Sequence, residues 1–353
     1  MAGDAAADHQ SDPQPANSPD ATDVQEDYLQ PGPEPSDDGF SDAGYGDSSD
    51  RSSLTSVSSH LLRGVSENGR TYAAYGKEEY GMPMDEREMD RIDMSHAKYY
   101  MLLDKKRFLA PIPEDTQRIL DLGTGTGIWC IDVADEYPAA EVIGVDIAPI
   151  QPQWVPPNCH FELDDIEADW TWRAQSFDFI HQRDLLFAIH DFPKLIRQSY
   201  HHLKPGGWIE FQSIHGVLGC DDDSLPPDSH FRRYDSLIRA AARHVKTPLE
   251  DPAMFKRWME EAGFEAVVER RFKIPSNPWP KDGKYKLIGM FEMENFLNGL
   301  EGMSLRLFQK GLGWSAQETS VFLAGVRKEI QNLRYHPYYP FYVVYGRKPL
   351  NAS

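Results

Sequence analysis

The chain has 353 residues, with 36 Lys or Arg against 56 Asp or Glu and a formal charge of −20. That length predicts about two domains, or one large domain with additions, and is ample for a core. The acidic balance, with no Lys/Arg stripe, argues against binding a nucleic-acid backbone or an anionic membrane. Three cysteines (Cys130, Cys159, Cys220) lie far apart and form neither a disulfide framework nor a zinc spacing, which points to a reducing compartment. The acidic N-terminus lacks the apolar stretch of a signal peptide, and no run approaches the roughly 18 apolar residues of a membrane span. A soluble, non-secreted protein of the cytoplasm or nucleus is expected.

Residues 1–60 carry 13 acidic side chains against Arg51 alone, together with 11 Ser, 6 Pro and 5 Gly. Such a segment buries too little to offset its ordering entropy, so 1–65 is expected to be a disordered acidic tail. Its SSDRSSLTSVSS run at 48–59 reads either as a partner-binding or phosphorylated stretch or as a solubilising extension. Residues 66–115 read as an N-terminal helical lid, because Met89, Ile92, His96, Tyr99 and Leu103 recur at helical spacing after Asp85.

Five short apolar runs follow: RILDLGTG (118–125), EVIGVDI (141–147), NCHFELDD (158–165), FDFIHQR (177–183) and GWIEFQSI (207–214). Helix-like or linking sequence separates them, which predicts an α/β fold with parallel strands and both sheet faces covered. Residues 231–243 read as an amphipathic helix. In DPAMFKRWMEEAGF, Asp251 is expected as cap, Pro252 in the first turn and Gly263 as terminator. EAVVERRFKI (265–274) reads as a sixth strand and PFYVVYGRK (340–348) as the last. Between them lies a stretch rich in Met, Leu and Phe, and then Ser315 and Glu318 in capping-box spacing.

The sharpest motif is ILDLGTGTG, where an apolar strand ends in Asp121 and Gly123, Gly125 and Gly127 precede helical sequence. Glycines there admit a close ligand, and the helix N-terminus offers free N–H groups. A nicotinamide fingerprint requires glycine at the sixth position counted from Gly123, which is Ile128, so that cofactor is disfavoured. Asp146 falls 19 residues after Gly127 at the end of the second strand, where a carboxylate can accept from both hydroxyls of a ribose.

DLGTGTG, VIGVDI, FELDDIE, FDFIHQRDL and LKPGGWIEF, in this order, resemble the class I S-adenosylmethionine-dependent methyltransferases. More narrowly, ENGRTYAAYGKEEYGMPMDEREMDRIDMSH, GTGIWCIDVADEYP, DIAPIQPQWVPPNC and LKPGGWIEFQSI resemble the fungal LaeA-like methyltransferases, with similarity also to the trans-aconitate methyltransferase group. The resemblance spans about 70–348. It implies a Rossmann-like sheet of seven strands in the order 3-2-1-4-5-7-6, the last antiparallel, with helical caps. The methyltransferase domain would then be 116–353, with a cap insertion at about 275–335.

The resemblance also implies a cofactor site for S-adenosyl-L-methionine. Gly123, Thr124, Gly125 and Gly127 would wrap the methionine portion above Asp121. Asp146, with Ile147 beside it, would hold the ribose, Asp165 and the backbone of Ile166 would meet the adenine, and Gln182 and Arg183 would stand beside the sulfonium. No catalytic base is fixed by this pattern. His190 and His215 follow strands at the ligand-binding end and are the candidates if the acceptor must lose a proton, whereas a carboxylate acceptor needs none. Asp221–Asp223 read as a charged turn or, alternatively, as hard-cation ligands. Arg232, Arg239 and Arg243 share a helical face, either solvated or attracting an anionic substrate. Met290, Phe291, Met293, Phe296, Leu297 and Met303 would roof an apolar pocket or build a satellite core. Tyr72, Tyr75, Tyr80 and the 85–103 helix would close over the cofactor. The expected function is methyl transfer to a small-molecule acceptor of secondary metabolism; the alternative is a LaeA-like regulator acting within a nuclear protein complex.

Overall fold

The computed structural model describes residues 29, 64–75 and 81–352. Most of the 1–65 tail, its serine run included, and Tyr80 lie outside the described residues. The lid segment opens on a hairpin that its helical spacing does not announce. Strands β1 (Val65–Glu67) and β2 (Arg70–Tyr72) pair antiparallel around Asn68 and Gly69. Both turn residues have positive φ (50° and 75°), as a type I′ hairpin turn requires. Helix α1 (Glu86–Leu102) then starts where expected, with the Asp85 carboxylate accepting from the Glu88 N–H. Asp85 also takes a two-pronged bond from Arg70, which ties the hairpin to the helix start.

The main sheet comprises β3 (Arg118–Leu122), β4 (Glu141–Asp146), β5 (Cys159–Leu163), β6 (Phe177–Arg183), β7 (Leu203–Ile214), β8 (Glu265–Pro275) and β9 (Tyr338–Arg347). Its order is β5-β4-β3-β6-β7-β9-β8. Relabelled within this sheet, that is the expected 3-2-1-4-5-7-6. The first five strands pair in parallel and β9 runs antiparallel to both β7 and β8.

Strand periodicity divides the core between the two faces. Leu120, Leu122 and Ile180 pack with α3 (Phe192–His202) and α5 (Phe255–Ala262). Ile119 and Phe179 pack instead with Trp129, Cys130 and Val133 of α2 (Ile128–Glu136). The expected Asp251 cap is corrected: Asp251–Met254 form a separate 3-10 turn with Glu250 in the capping position, since the Pro252 ring suits a first turn but α5 begins only at Phe255. Gly263 ends α5 in the left-handed conformation.

A helical layer covers the β9 side. It contains α4 (His230–His244), the 30-residue α6 (Gly283–Leu312) and α7 (Ala316–Ile330), the last opened by the Ser315/Glu318 capping box. Phe231, Tyr234, Phe296, Leu300, Phe308 and Leu323 form its core. On its other side α6 meets α1 through polar groups. Lys98 Nζ and Glu292 Oε2 stand 2.5 Å apart with both side chains essentially inaccessible, Asn295 accepts from Ser95 and Arg91, and Asn295 donates to Glu292. The segment after α1 is pinned to β7 by Glu210, which accepts from the Leu109 and Ala110 amides; burial pushes its carboxyl up to about 7. Among the described residues no helix is long and apolar enough to cross a membrane.

Candidate active site

A cavity of about 510 Å³ opens at the carboxyl ends of β3, β4 and β6. That is the end of a parallel sheet where the chain leaves each strand for a helix and where ligands settle. Its floor includes Asp121, Gly123, Thr124 and Gly125, and its walls include Asp146, Ile147, Asp165, Ile166 and Arg183. Its roof is α1, through Arg91, Ile92, Ser95 and Tyr99.

The glycine loop has the backbone the motif implies. Gly123, Gly125 and Gly127 have φ of 66°, 59° and 80°. Gly127 itself does not line the cavity. It caps α2, and a Cβ there would lie 2.3 Å from the Phe161 ring, so its hydrogen side chain lets β5 close on the loop. Gly127→Ala is therefore expected to lower stability by about 1–3 kcal/mol in urea unfolding, combining left-handed backbone with the ring clash. Gly125 N donates to Asp146 Oδ2 at 2.7 Å and Ala148 N donates to Oδ1 at 2.9 Å. Burial pushes the Asp146 carboxyl up to about 6 against the pull of these amides.

Beneath the loop the register sets Asp121 opposite His181 on β6. His181 Nδ1 lies 2.7 Å from Asp121 Oδ1, and the imidazole stacks on Trp129 with centroids 3.9 Å apart. Burial lowers the imidazole below its ordinary range, so the ring is neutral and its Nδ1–H donates to Asp121. Nε2 is then an acceptor with no partner among the described residues. The sequence reading missed His181, although period two from Phe179 places it on the α2 face.

The roof is joined to the walls by a second imidazole. Arg183 Nη2 donates to His96 Nδ1 at 3.0 Å, and His96 Nε2 faces Asp132 at 2.9 Å. Burial lowers His96 as well, and its neutral form suits both contacts, with Nδ1 accepting and Nε2–H donating. Tyr99 donates to Asp184, which pins the last turn of α1 to the strand-end loop.

Several expected residues fall elsewhere. Gln182 is fully buried, donates to the Gln212 carbonyl at 3.1 Å, and does not line the cavity, because strand alternation turns it to the opposite sheet face from Arg183 and His181. His215 lies outside the cavity and packs on Tyr342, 5.3 Å between centroids, since β7 carries it past the sheet end toward β9. His190 does line the cavity, with Nδ1 2.8 Å from Glu167 Oε2. None of Met290, Phe291, Met293, Phe296, Leu297 and Met303 roofs it. Phe296 belongs to the helical core, Met290 faces solvent, and the roof is α1 because the Lys98–Glu292 pair interposes that helix. Tyr72 is buried under Arg306, whereas the Tyr75 hydroxyl reaches Asp164 at the cavity wall, 3.4 Å away. Asp221 pairs with Lys273 and Asp222 with His336, and the described residues contain no cluster of three metal-ligating side chains. Arg239 and Arg243 are engaged by Asp235 and Glu250, and Arg232 by the Leu225 carbonyl.

The sheet order, the glycine loop and the carboxylate at the end of the second main-sheet strand define a class I methyltransferase. Residues 94–270 match the family described as "Methyltransferase domain". The chain is 43% identical over 300 residues to methyltransferase pytC of Aspergillus terreus, covering 84% of this chain and 92% of that protein. It is 35% identical to secondary metabolism regulator LAE1 of Cochliobolus heterostrophus, covering 80% and 94%. It is 34% identical to protein-methionine methyltransferase laeA of Emericella nidulans, covering 80% and 76%. The chain belongs to this methyltransferase family and is an enzyme of the S-adenosylmethionine-dependent class.

Proposed function

We propose that the main cavity binds S-adenosylmethionine and delivers its methyl group to a small-molecule acceptor of fungal secondary metabolism. The observation that carries this reading is the Asp146 carboxylate. Two amides fix it at the cavity wall, and each oxygen keeps a lone pair for one of two ribose hydroxyls. The rest of the lining suits the same ligand. Ile147 and Ile166 offer apolar faces to a purine, with Asp165 beside them to meet its edge. The glycine backbone, Asp121 and the unpartnered His181 Nε2 suit the polar methionine end. Arg183 stands where the acceptor would approach.

When bound, the cofactor supplies a methyl carbon on a positively charged sulfur. The chemistry it would supply there is in-line transfer of that methyl to the acceptor lone pair, with the carbon–sulfur electron pair leaving on sulfur. The chain's own work is alignment and exclusion of water under the α1 roof. Where the acceptor carries a proton, His190 is placed to take it at Nε2, since its Nδ1–H donates to Glu167.

A second reading, a regulator that methylates protein within a nuclear complex, is favoured by the relatives named LAE1 and laeA. The full chain incubated with methyl-labelled S-adenosylmethionine, a fungal metabolite extract and, separately, nuclear protein decides between them. Label in small molecules supports the first reading. Label confined to protein replaces it with the second, and no transfer to either contradicts both.

A further inference from the structure

A second chamber of about 460 Å³ adjoins the main cavity and shares Phe187, His190 and Lys246 with it. Its size is that of a small-molecule site. The two chambers differ in charge. Seven Asp or Glu residues against four Lys or Arg line the main cavity, a net acidic balance that suits a cationic sulfonium, whereas none of the described residues lining the second is acidic. The second is lined instead by His190, His244, Lys246, Arg306 and Lys310, among apolar Met82, Val245 and Leu307. Arg306 is already occupied by Glu67.

Two adjacent residues stand out. Thr247 is buried, at 4% exposure, and lines the chamber, yet its hydroxyl has no hydrogen-bond partner among the described residues. A buried hydroxyl in that state is unfavourable unless a ligand completes it. Lys246 has a φ of 65° just past the end of α4, where Thr247 N bonds back to the Ala242 carbonyl. That position favours glycine, so a lysine there goes against backbone preference, and the residue is exposed and lines both chambers.

We propose that the second chamber holds the anionic tail of the acceptor, an apolar small molecule ending in a carboxylate, with the Lys246 ammonium and the Thr247 hydroxyl as donors. The nucleophilic end then passes Phe187 and His190 into the main cavity. This rests on the methyl-transfer reading above and adds the substrate class.

The test is calorimetric titration of the full chain, with and without saturating S-adenosylhomocysteine, using octanoate, octanamide and octyl phosphate as probes. Octanoate is expected to bind at least about tenfold more tightly than octanamide, as a charge-assisted bond implies. Lys246→Gly relieves the backbone and Thr247→Val removes an unpartnered hydroxyl, so both variants should fold at least as stably as wild type, the first losing the preference for octanoate and the second weakening octanoate binding. Equal binding of octanoate and octanamide by wild type, a Lys246→Gly variant that keeps the preference, or a Thr247→Val variant with unchanged octanoate affinity overturns the proposal. Octyl phosphate bound in place of octanoate overturns the carboxylate assignment. Failure of wild type to bind S-adenosylhomocysteine contradicts the cofactor reading instead, and the probe arm without it still reads the second chamber.

Discussion

Asp146→Asn is expected to weaken S-adenosylhomocysteine binding about 10- to 100-fold, the equivalent of about 1.5–3 kcal/mol for hydrogen bonds to a charged acceptor. The amide keeps the shape of the carboxylate and one acceptor oxygen but offers no charge to the ribose hydroxyls. The pH dependence separates this cause from misfolding. Burial pushes the Asp146 carboxyl up to about 6, so in the free protein it is largely protonated at pH 5 and largely ionised at pH 7. Hydroxyl donors favour the ionised form, so ligand binding is coupled to proton release. Wild-type affinity should therefore rise through pH 6 and level off above it, by up to about tenfold per unit on the acid side. The Asn variant should be flat over the same range. A wild-type profile without that rise would remove Asp146 from the site.

Lys98→Met is expected to cost about 3–5 kcal/mol of stability in urea unfolding, the cost of leaving one partner of a buried ion pair uncompensated. Glu292 would retain the Asn295 amide, 3.1 Å away, but no cation at Lys98. The double variant Lys98→Met/Glu292→Leu should recover most of the loss, because an apolar pair needs no desolvation of charge. The same pair seats α1 over the main cavity, so the single variant should also lose affinity for S-adenosylhomocysteine, with partial recovery in the double. Full stability in the single variant would mean that α1 and α6 are held by their apolar contacts alone.

The sheet was legible because its determinants are local. The five parallel strands are short segments with apolar residues set between helix-like stretches, Asp85 and Ser315 are capping residues at recognisable spacing, and the Gly123, Asp121 and Asp146 positions follow from one motif and its distance to the next strand end. What stayed hidden depends on contacts between distant segments. Lys98 and Glu292 are 194 residues apart, and Arg91 and Asn295 are 204 apart. The 85–103 helix was expected over the cofactor from the family resemblance and is found there, but nothing in either segment alone shows which residues join it to α6, or that Met293 and Phe296 of α6 turn to α4 and α7. The second chamber escaped for the same reason, since its walls come from the loop after β6, the end of α4 and the last turns of α6. Gln182 and His215 illustrate a different limit. Each was placed by proximity to a strand end, whereas the face on which a side chain emerges is decided by strand alternation, which separates Gln182 from His181 and Arg183 by a single residue.

The central claim is that the main cavity holds the adenosyl group with its ribose on Asp146. A crystal structure of the full chain with S-adenosylhomocysteine tests it most directly. Both ribose hydroxyls are expected within hydrogen-bond distance of the Asp146 carboxylate, with the purine between Ile147 and Ile166 and the sulfur facing Arg183 beneath α1. A ligand seated away from Asp146, or with its ribose on another residue, would contradict it.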